Sequence, residues 1–364
     1  MAYISAYKEN HIGHVRLDRP DALNALNLEM VNIIKQALLD WLDDDDIWCV
    51  IFTSSSSKAF CAGGDVREAV SLIKENPELS AEPYFEAEYG LDLLLASYPK
   101  PTISLVEGIV MGGGLGLARL SKYMVISAQI KCAMPETAIG LFPDVGASKF
   151  LRAMPEAAAL MMGMTGSLLN AGDLIEWNLA DFIISADDFN TVLHDLKSAD
   201  ELDDMKIKTI LADYQIASPQ GAFAPHIKLI EAVFNQNTPQ EIAKSALEQA
   251  SDESDAGKIA LKWAEALSQK SPASITLFWA MMRRLPEPDS VIDAIQRDFH
   301  LACKMMRRSD FSEGVRAVLI DKDNQPKWQP ASLAEVDKDL LASLCDFPST
   351  PLLPLPSFLL KTNN

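Results

Sequence analysis

Thr102-Ile103-Ser104-Leu105-Val106-Glu107-Gly108-Ile109-Val110-Met111-Gly112-Gly113-Gly114-Leu115-Gly116-Leu117-Ala118-Arg119-Leu120 passes from an apolar, β-branched run through three consecutive glycines into a helical pattern. The run from Thr102 to Val106 reads as a buried strand and the segment from Leu115 as an opening helix, so the glycines make a strand-to-helix turn. The first N–H groups of a helix lack intrahelical partners; such a turn aims free donors into a cleft and favours negative charge there. Downstream, Ala133-Met134-Pro135-Glu136-Thr137-Ala138-Ile139-Gly140-Leu141-Phe142-Pro143-Asp144-Val145-Gly146 carries two acids among apolar residues and prolines. A carboxylate in that company is costly unless it is hydrogen-bonded or employed. Glu136 and Asp144 are therefore read as a reactive pair beside a backbone anion hole.

Outward from this stretch, strand and helix signals alternate. His14-Val15-Arg16-Leu17 alternates in polarity, residues 26–42 have helical spacing and end in the acidic turn Asp43-Asp44-Asp45-Asp46, and Trp48-Cys49-Val50-Ile51-Phe52 is a buried strand. Further strands are expected at 123–127 and 182–185, and further helices at 84–95, 147–152 and 157–165. Strands separated by helices of this length predict right-handed crossovers and mostly parallel sheets, an α/β fold. Beyond residue 185 the chain turns acidic and then helical, with Ser271-Pro272-Ala273-Ser274 as a capped start of one helix and 291–307 as another. The division that results is a core at 1–190, an acidic insertion or connection at 191–250, a C-terminal helical region at 251–345 and a Pro-rich tail at 346–364.

Composition sets the outer limits. A chain of 364 residues can bury a large core, and a net charge of −19 argues against nucleic acid and anionic membrane surfaces as partners. A phosphorylated ligand would have to rely on local cations, of which the N-terminal part offers Lys8, Arg16, Arg19, Lys58 and Arg67. Five cysteines, an odd number without close pairing, suit a reducing compartment, and neither they nor the scattered histidines show metal-ligand spacing. No stretch of about 18 apolar residues is present to span a membrane. The first residues show neither an apolar signal core nor an Arg-rich leader, and the expected location is the cytoplasm.

A second glycine turn, Phe60-Cys61-Ala62-Gly63-Gly64-Asp65, follows the strand around Ile51 as Gly112-Gly113-Gly114 follows the strand around Leu105. Taken alone, either is also just a tight connection. If the two strands are neighbours, the turns place two N–H groups at one point and make an oxyanion hole for an ester or thioester carbonyl.

Lys58-Ala59-Phe60-Cys61-Ala62-Gly63-Gly64-Asp65-Val66, Glu107-Gly108-Ile109-Val110-Met111-Gly112-Gly113-Gly114 and Pro135-Glu136-Thr137-Ala138-Ile139-Gly140 together resemble the crotonase (enoyl-CoA hydratase/isomerase) superfamily. Pro143-Asp144-Val145-Gly146 and the distant Asp310-Phe311-Ser312-Glu313-Gly314-Val315-Arg316-Ala317-Val318-Leu319-Ile320-Asp321-Lys322-Asp323 resemble its 3-hydroxyisobutyryl-CoA hydrolase branch most closely. The resemblance implies a ββα spiral followed by C-terminal helices. It also implies oxyanion donors at Gly64 and Gly113, catalytic acids at Glu136 and Asp144, and a substrate-lining Glu88 in a Glu-Tyr pair. Read on spacing, Glu88 is equally a surface helix position. The turn containing Ala22 and Ala25 resembles the segment that holds the CoA diphosphate, and Ala62, Asp65 and Val66 resemble the adenine-contacting loop.

Hydratases of the superfamily carry a second glutamate two residues after the glycine triplet, where this chain has Gly116. Without it, water addition to an enoyl group lacks half its acid/base machinery. The resemblance thus implies hydrolysis of a short β-hydroxyacyl-CoA thioester. Coenzyme A belongs to the substrate, no separate cofactor is expected, and a homo-oligomer is left open. The alternatives are an enoyl-CoA hydratase or isomerase and, from another class, a non-catalytic acyl-CoA-binding protein.

Overall fold

The computed structural model describes residues 3–75, 82–347, 353–356 and 358. Among the described residues nine strands form two sheets: β1 (Ile4–Glu9), β2 (Ile12–Leu17), β3 (Cys49–Ser54), β5 (Thr102–Val106), β7 (Tyr123–Ile126) and β9 (Phe182–Ile183) in one, in that order, and β4 (Ala59–Cys61), β6 (Ile109–Met111) and β8 (Lys131–Ala133) in the other. Of the pairings between these nine strands, the β1–β2 hairpin is antiparallel and the rest are parallel. Three successive passes, β3–β4, β5–β6 and β7–β8, each lay one strand in the large sheet and one short strand in the small sheet before a helical segment, which is the expected ββα spiral.

The small sheet is what the sequence did not predict. Its strands are three residues each, too short to show a period of two. Yet it does the positioning. β4 pairs with β6 in parallel, Ala59 opposite Ile109, so the glycines that leave these two strands stand side by side. The turn after β6 enters α4 (Gly113–Arg119) with Gly112 at φ 50°, a left-handed conformation that favours glycine. At Gly114 the limit is space, since a methyl group there would lie 2.3 Å from the Cys61 carbonyl oxygen.

On the inner side of the large sheet pack α1 (Leu28–Leu42), α2 (Val66–Glu75) and α3 (Glu82–Ala96). Asn27 caps α1 by accepting from the Met30 N–H at 2.9 Å, which fixes where the helix begins. Ile12, Ile51, Ile103, Leu105 and Val125 form the outer face, and the helices Phe189–Ser198 and Asp204–Asp213 cover it with Val192, Leu196, Ile207 and Leu211. The acidic stretch is thus two-sided, its apolar stripe on the sheet and its charges outward. Its later helices, Ile227–Phe234 and Pro239–Gln249, pack elsewhere, against Glu156–Thr165 and Asp255–Gln269.

Ser271 caps the helix Pro272–Arg283 as the sequence predicts, accepting from Ser274 N–H at 3.3 Å. Val291–Met306 packs on α3, and Ser309–Val315 packs on the turn that carries Glu136. Of the Pro-rich tail, residues 348–352 lie outside the described residues; Leu353 is buried and exchanges backbone hydrogen bonds with the Gln296 amide at 2.8 and 3.0 Å.

Candidate active site

A cavity of about 160 Å³ opens where the two glycine turns, α3 and the Glu136 turn meet. Gly64 and Gly113 both line it. Their closeness can be read from the backbone: a methyl group on Gly113 would lie 3.4 Å from the Gly64 nitrogen. Neither N–H donates to a partner among the described residues, so both remain available to a substrate oxygen. The spiral has brought together two donors 49 positions apart in sequence, by pairing the strands that precede them.

Glu136 opens a 3-10 turn, Glu136–Ile139, closed by Gly140. Its Oε1 lies 2.7 Å from where a methyl on Gly112 would be, which places the carboxyl against the oxyanion turn. Oε2 is buried without a hydrogen-bond partner among the described residues. The turn is held from outside by Ser271 and the distant C-terminal motif: Ser271 N–H donates to Thr137 O at 2.9 Å, Ser271 Oγ donates to the buried Asp310 at 3.0 Å, and Gly314 packs against the Ile139 backbone.

Asp144 faces the same cavity from the loop before Gly146, and the Tyr89 hydroxyl donates to its Oδ2. The loop is anchored underneath by Asp298, which is fully buried and accepts from Gly146 N–H at 2.8 Å. Burial pushes both carboxyls up. Asp144 reaches about 6, limited by the Tyr89 bond, while Glu136 is driven well above the ordinary range by burial, then by Asp144 and Glu88, against a smaller opposing pull from Lys270. Two buried acids facing each other share a single proton near neutrality, and they titrate as a pair.

Glu88 is a pocket residue and not a surface one. It is only 5% exposed and projects from α3 between Gly64 and Gly113. Ala62 and Val66 also line the cavity. Ala22, Ala25 and Asp65 do not: they form the shell behind it, where the 22–26 turn runs along 62–65 through Ala62 N–H to Leu23 O at 3.0 Å and Leu26 N–H to Gly63 O at 2.8 Å. Arg19 ties that shell together by donating to Ala25 O at 2.9 Å and to Asp65 at 2.7 Å. Of the cations offered for a phosphate, Arg19 is thereby engaged, Lys8 is paired with Asp44, and Arg16 lies on the outer sheet face; Lys58 and Arg67 stay exposed near the turn. Among the described residues no cluster of His, Cys, Asp and Glu could hold a metal ion, and no helix is long and apolar enough to cross a membrane.

Gly116 has a structural counterpart. A methyl group there would meet Val145 Cβ and Cγ2 at 2.8 Å, so the Val145 side chain fills the space into which a residue 116 side chain would grow. Val145 is buried and sits at φ 52°, held there by the same loop that presents Asp144. One loop therefore closes one carboxylate position and opens another.

Val318 and Leu319 were not foreseen as pocket residues. They come from the turn Arg316–Ile320 at the end of the distant motif and complete the wall with Phe85, Ile139 and Leu141. Arg316 holds that turn by donating to Glu313 at 2.9 Å, to Asp321 at 2.6 Å and to Asp323 at 2.7 Å. The only signal in the sequence was a motif with no role attached. If the cavity takes the acyl-CoA thioester that the resemblance implies, opening the wall with Val318→Ala is expected to raise kcat/KM for esters two carbons longer than C4 by about tenfold relative to C4 esters. A chain-length series on both proteins checks this, and an unchanged profile would remove Val318 from the acyl wall.

A large and a small parallel-stranded sheet with paired glycine turns beside a buried carboxylate fit the crotonase arrangement, and the chain belongs to the enoyl-CoA hydratase/isomerase family, whose model matches residues 12–345. Within the family it stands with the 3-hydroxyisobutyryl-CoA hydrolases. It is 35% identical over 338 residues to the mitochondrial 3-hydroxyisobutyryl-CoA hydrolase of Xenopus laevis, covering 91% of this chain and 85% of that protein. Against the corresponding Homo sapiens protein it is 33% identical over 339 residues, with 91% and 85% covered. Among solved structures it is similar to a carnitinyl-CoA dehydratase from Mycobacterium thermoresistibile, at TM-score 0.86 and 28% identity over 96% of this chain and 98% of that one. An enoyl-CoA hydratase from Rhodobacter sphaeroides 2.4.1 gives TM-score 0.85 and 28% identity over 94% and 97%.

Proposed function

We propose that the protein hydrolyses a short-chain β-hydroxyacyl-CoA thioester, foremost 3-hydroxyisobutyryl-CoA, to 3-hydroxyisobutyrate and CoA, as a step of valine degradation. The observation that carries this is the exchange at Gly116 and Val145. The second acid sits at Asp144, while the position from which a hydratase would present its other glutamate is filled by a valine. The names of the sequence relatives support the same choice over hydration.

In the reaction the thioester oxygen accepts from Gly64 and Gly113 N–H, whose donation strengthens as the carbonyl becomes an oxyanion. Glu136, set against the oxyanion turn, acts at the carbonyl carbon, either by attack to give a mixed anhydride or by drawing a proton from the water that attacks. On either route the shared proton sits on Asp144 while Glu136 acts; the C–S bond breaks and that proton passes to the departing sulfur. On the anhydride route water then cleaves the bond between Glu136 and the acyl group, its oxygen staying in the Glu136 carboxylate, one of its protons leaving with the acid and the other returning to Asp144. Tyr89 keeps Asp144 aimed and lowers its basicity, so the pair does not trap both protons. Coenzyme A takes part only as the leaving group, with no further cofactor. Five cysteines free of disulfides support a reducing compartment such as the cytoplasm.

The test is a pair of assays on one preparation. Thiol release from 3-hydroxyisobutyryl-CoA is expected to exceed hydration of crotonyl-CoA by at least about 10²-fold in kcat/KM, since the hydration would run with one misplaced acid. Crotonyl-CoA hydration at a comparable kcat/KM, with no thiol released from either ester, would reject the proposal.

A further inference from the structure

We propose that Glu88 is a third donor of the oxyanion hole, acting as a neutral carboxylic acid beside the N–H groups of Gly64 and Gly113. The inference rests on the thioester reading above and assigns to Glu88 more than lining of the acyl pocket.

Position comes first. Glu88 Oε1 lies 2.3 Å from where a methyl group on Gly113 would sit and 3.0 Å from the equivalent point on Gly64, so the carboxyl spans the gap between the two backbone donors. It lines the cavity yet is only 5% exposed. The tyrosines that flank it on α3 give it no hydrogen bond, because Tyr84 donates to Leu26 O at 2.6 Å and Tyr89 donates to Asp144. No hydrogen bond ties the carboxyl to another group among the described residues, and it borders the cavity, where a bound oxygen can accept its proton.

Charge decides what it does there. An ionised Glu88 would stand against the oxyanion and oppose the hole it borders. The titratable groups facing it are Asp144 and Glu136 across the cavity, Asp92 one turn on, Tyr84 one turn back, Tyr89 beside it and Cys61 on β4, and none of them is a cation. Burial, helped by the Asp144 charge, pushes the Glu88 carboxyl up to about 8. It therefore carries its proton at neutral pH, and a carboxylic acid kept neutral in an apolar site is a strong donor to an oxyanion. The sign follows: the donor is present below that pH and is lost as pH rises through it.

The experiment measures steady-state hydrolysis of 3-hydroxyisobutyryl-CoA and of isobutyryl-CoA, across the neutral and alkaline range, by the full-length protein, Glu88→Leu and Glu88→Gln. Glu88→Leu is expected to lose about 10²-fold in kcat with KM changed by less than about threefold, equally for both esters. Glu88→Gln keeps a donor and is expected to recover most of that loss, with the alkaline fall that tracks Glu88 abolished; any fall that remains at higher pH follows loss of the proton shared by Glu136 and Asp144. If Glu88→Leu does not fold, Glu88→Met takes its place. Glu88→Gln as impaired as Glu88→Leu would show that the carboxylate itself is needed and would overturn the proposal. A defect confined to KM, or to the hydroxylated ester, would overturn it too, by making Glu88 a reader of the substrate hydroxyl. If the wild-type protein releases thiol from neither ester, the functional reading falls and this one with it; failure of the Glu88 outcomes alone leaves hydrolysis standing.

Discussion

Glu136→Gln is expected to lower kcat for thioester hydrolysis by roughly 10³–10⁴-fold while leaving the affinity for CoA esters nearly unchanged. The amide keeps the shape of the side chain against the oxyanion turn but can neither attack the carbonyl carbon nor accept a proton from water. In the proposed geometry binding is spared, because the ester would be held by the glycine N–H groups and the apolar wall, not by Glu136. Isothermal titration with a non-hydrolysable CoA thioether checks the binding half, and thiol release checks the rate. The pH profile carries a further expectation. Asp144 is raised to about 6 by burial, so below that pH the pair takes up its second proton, no anion remains to act, and kcat/KM falls on the acid side. Single turnover in ¹⁸O water separates the two routes. Label in the Glu136 carboxylate reports the mixed anhydride, and its absence reports water activated directly. Full activity in Glu136→Gln would remove this residue from the chemistry.

How much of this was legible in the sequence depends on the length scale of each signal. The large-sheet strands β3 and β5 are apolar runs of five or six residues closed by turn residues, and periodicity finds them. β3 and β5, on whose adjacency the alignment of Gly64 with Gly113 was expected to rest, are parallel neighbours as required; β4, β6 and β8 are three residues each, nothing local marks them, and the closer pairing of β4 with β6 was not foreseen. Glu136 and Asp144 stood out because acids are rare in apolar, proline-bearing sequence. Glu88 did not, because α3 is nearly uniform in polarity around its circumference and gives no face to read. Asp298 and Val318 lie more than 150 positions from the residues they support, and only the folded chain shows what an acid in one helix or a valine in one turn is for. The Val145 contact with Gly116 belongs to the same class: each residue is ordinary alone, and the meaning lies in their touching.

Adjacent glycines in the oxyanion turn should separate function from fold. Gly113→Ala is expected to lower kcat/KM by about 10²–10³-fold with little loss of stability. The added methyl would point at Glu88 Oε1, 2.3 Å away, and lie 3.4 Å from the Gly64 nitrogen, in the space the thioester oxygen must enter. Its neighbour there is the end of a side chain, which can turn aside, and Gly113 is the first residue of α4, where alanine is the better helix former. The fold can therefore accept the change while the hole cannot. Gly114→Ala is expected to do the reverse at the level of the whole molecule. Its methyl would lie 2.3 Å from the Cys61 carbonyl oxygen and 2.7 Å from Cys61 Cβ, against backbone that cannot rotate away. Overpacking of that kind costs about 1–3 kcal/mol or more, read as a lower midpoint in chemical denaturation. If Gly113→Ala kept full hydrolysis, the carbonyl would have to bind elsewhere in the cavity. If it lost stability as Gly114→Ala does, the turn would be a packing device and its free N–H groups incidental. The two variants differ by one position and one methyl group, so their contrast tests whether the close pairing of β4 with β6 exists to hold the chain or to hold an oxyanion.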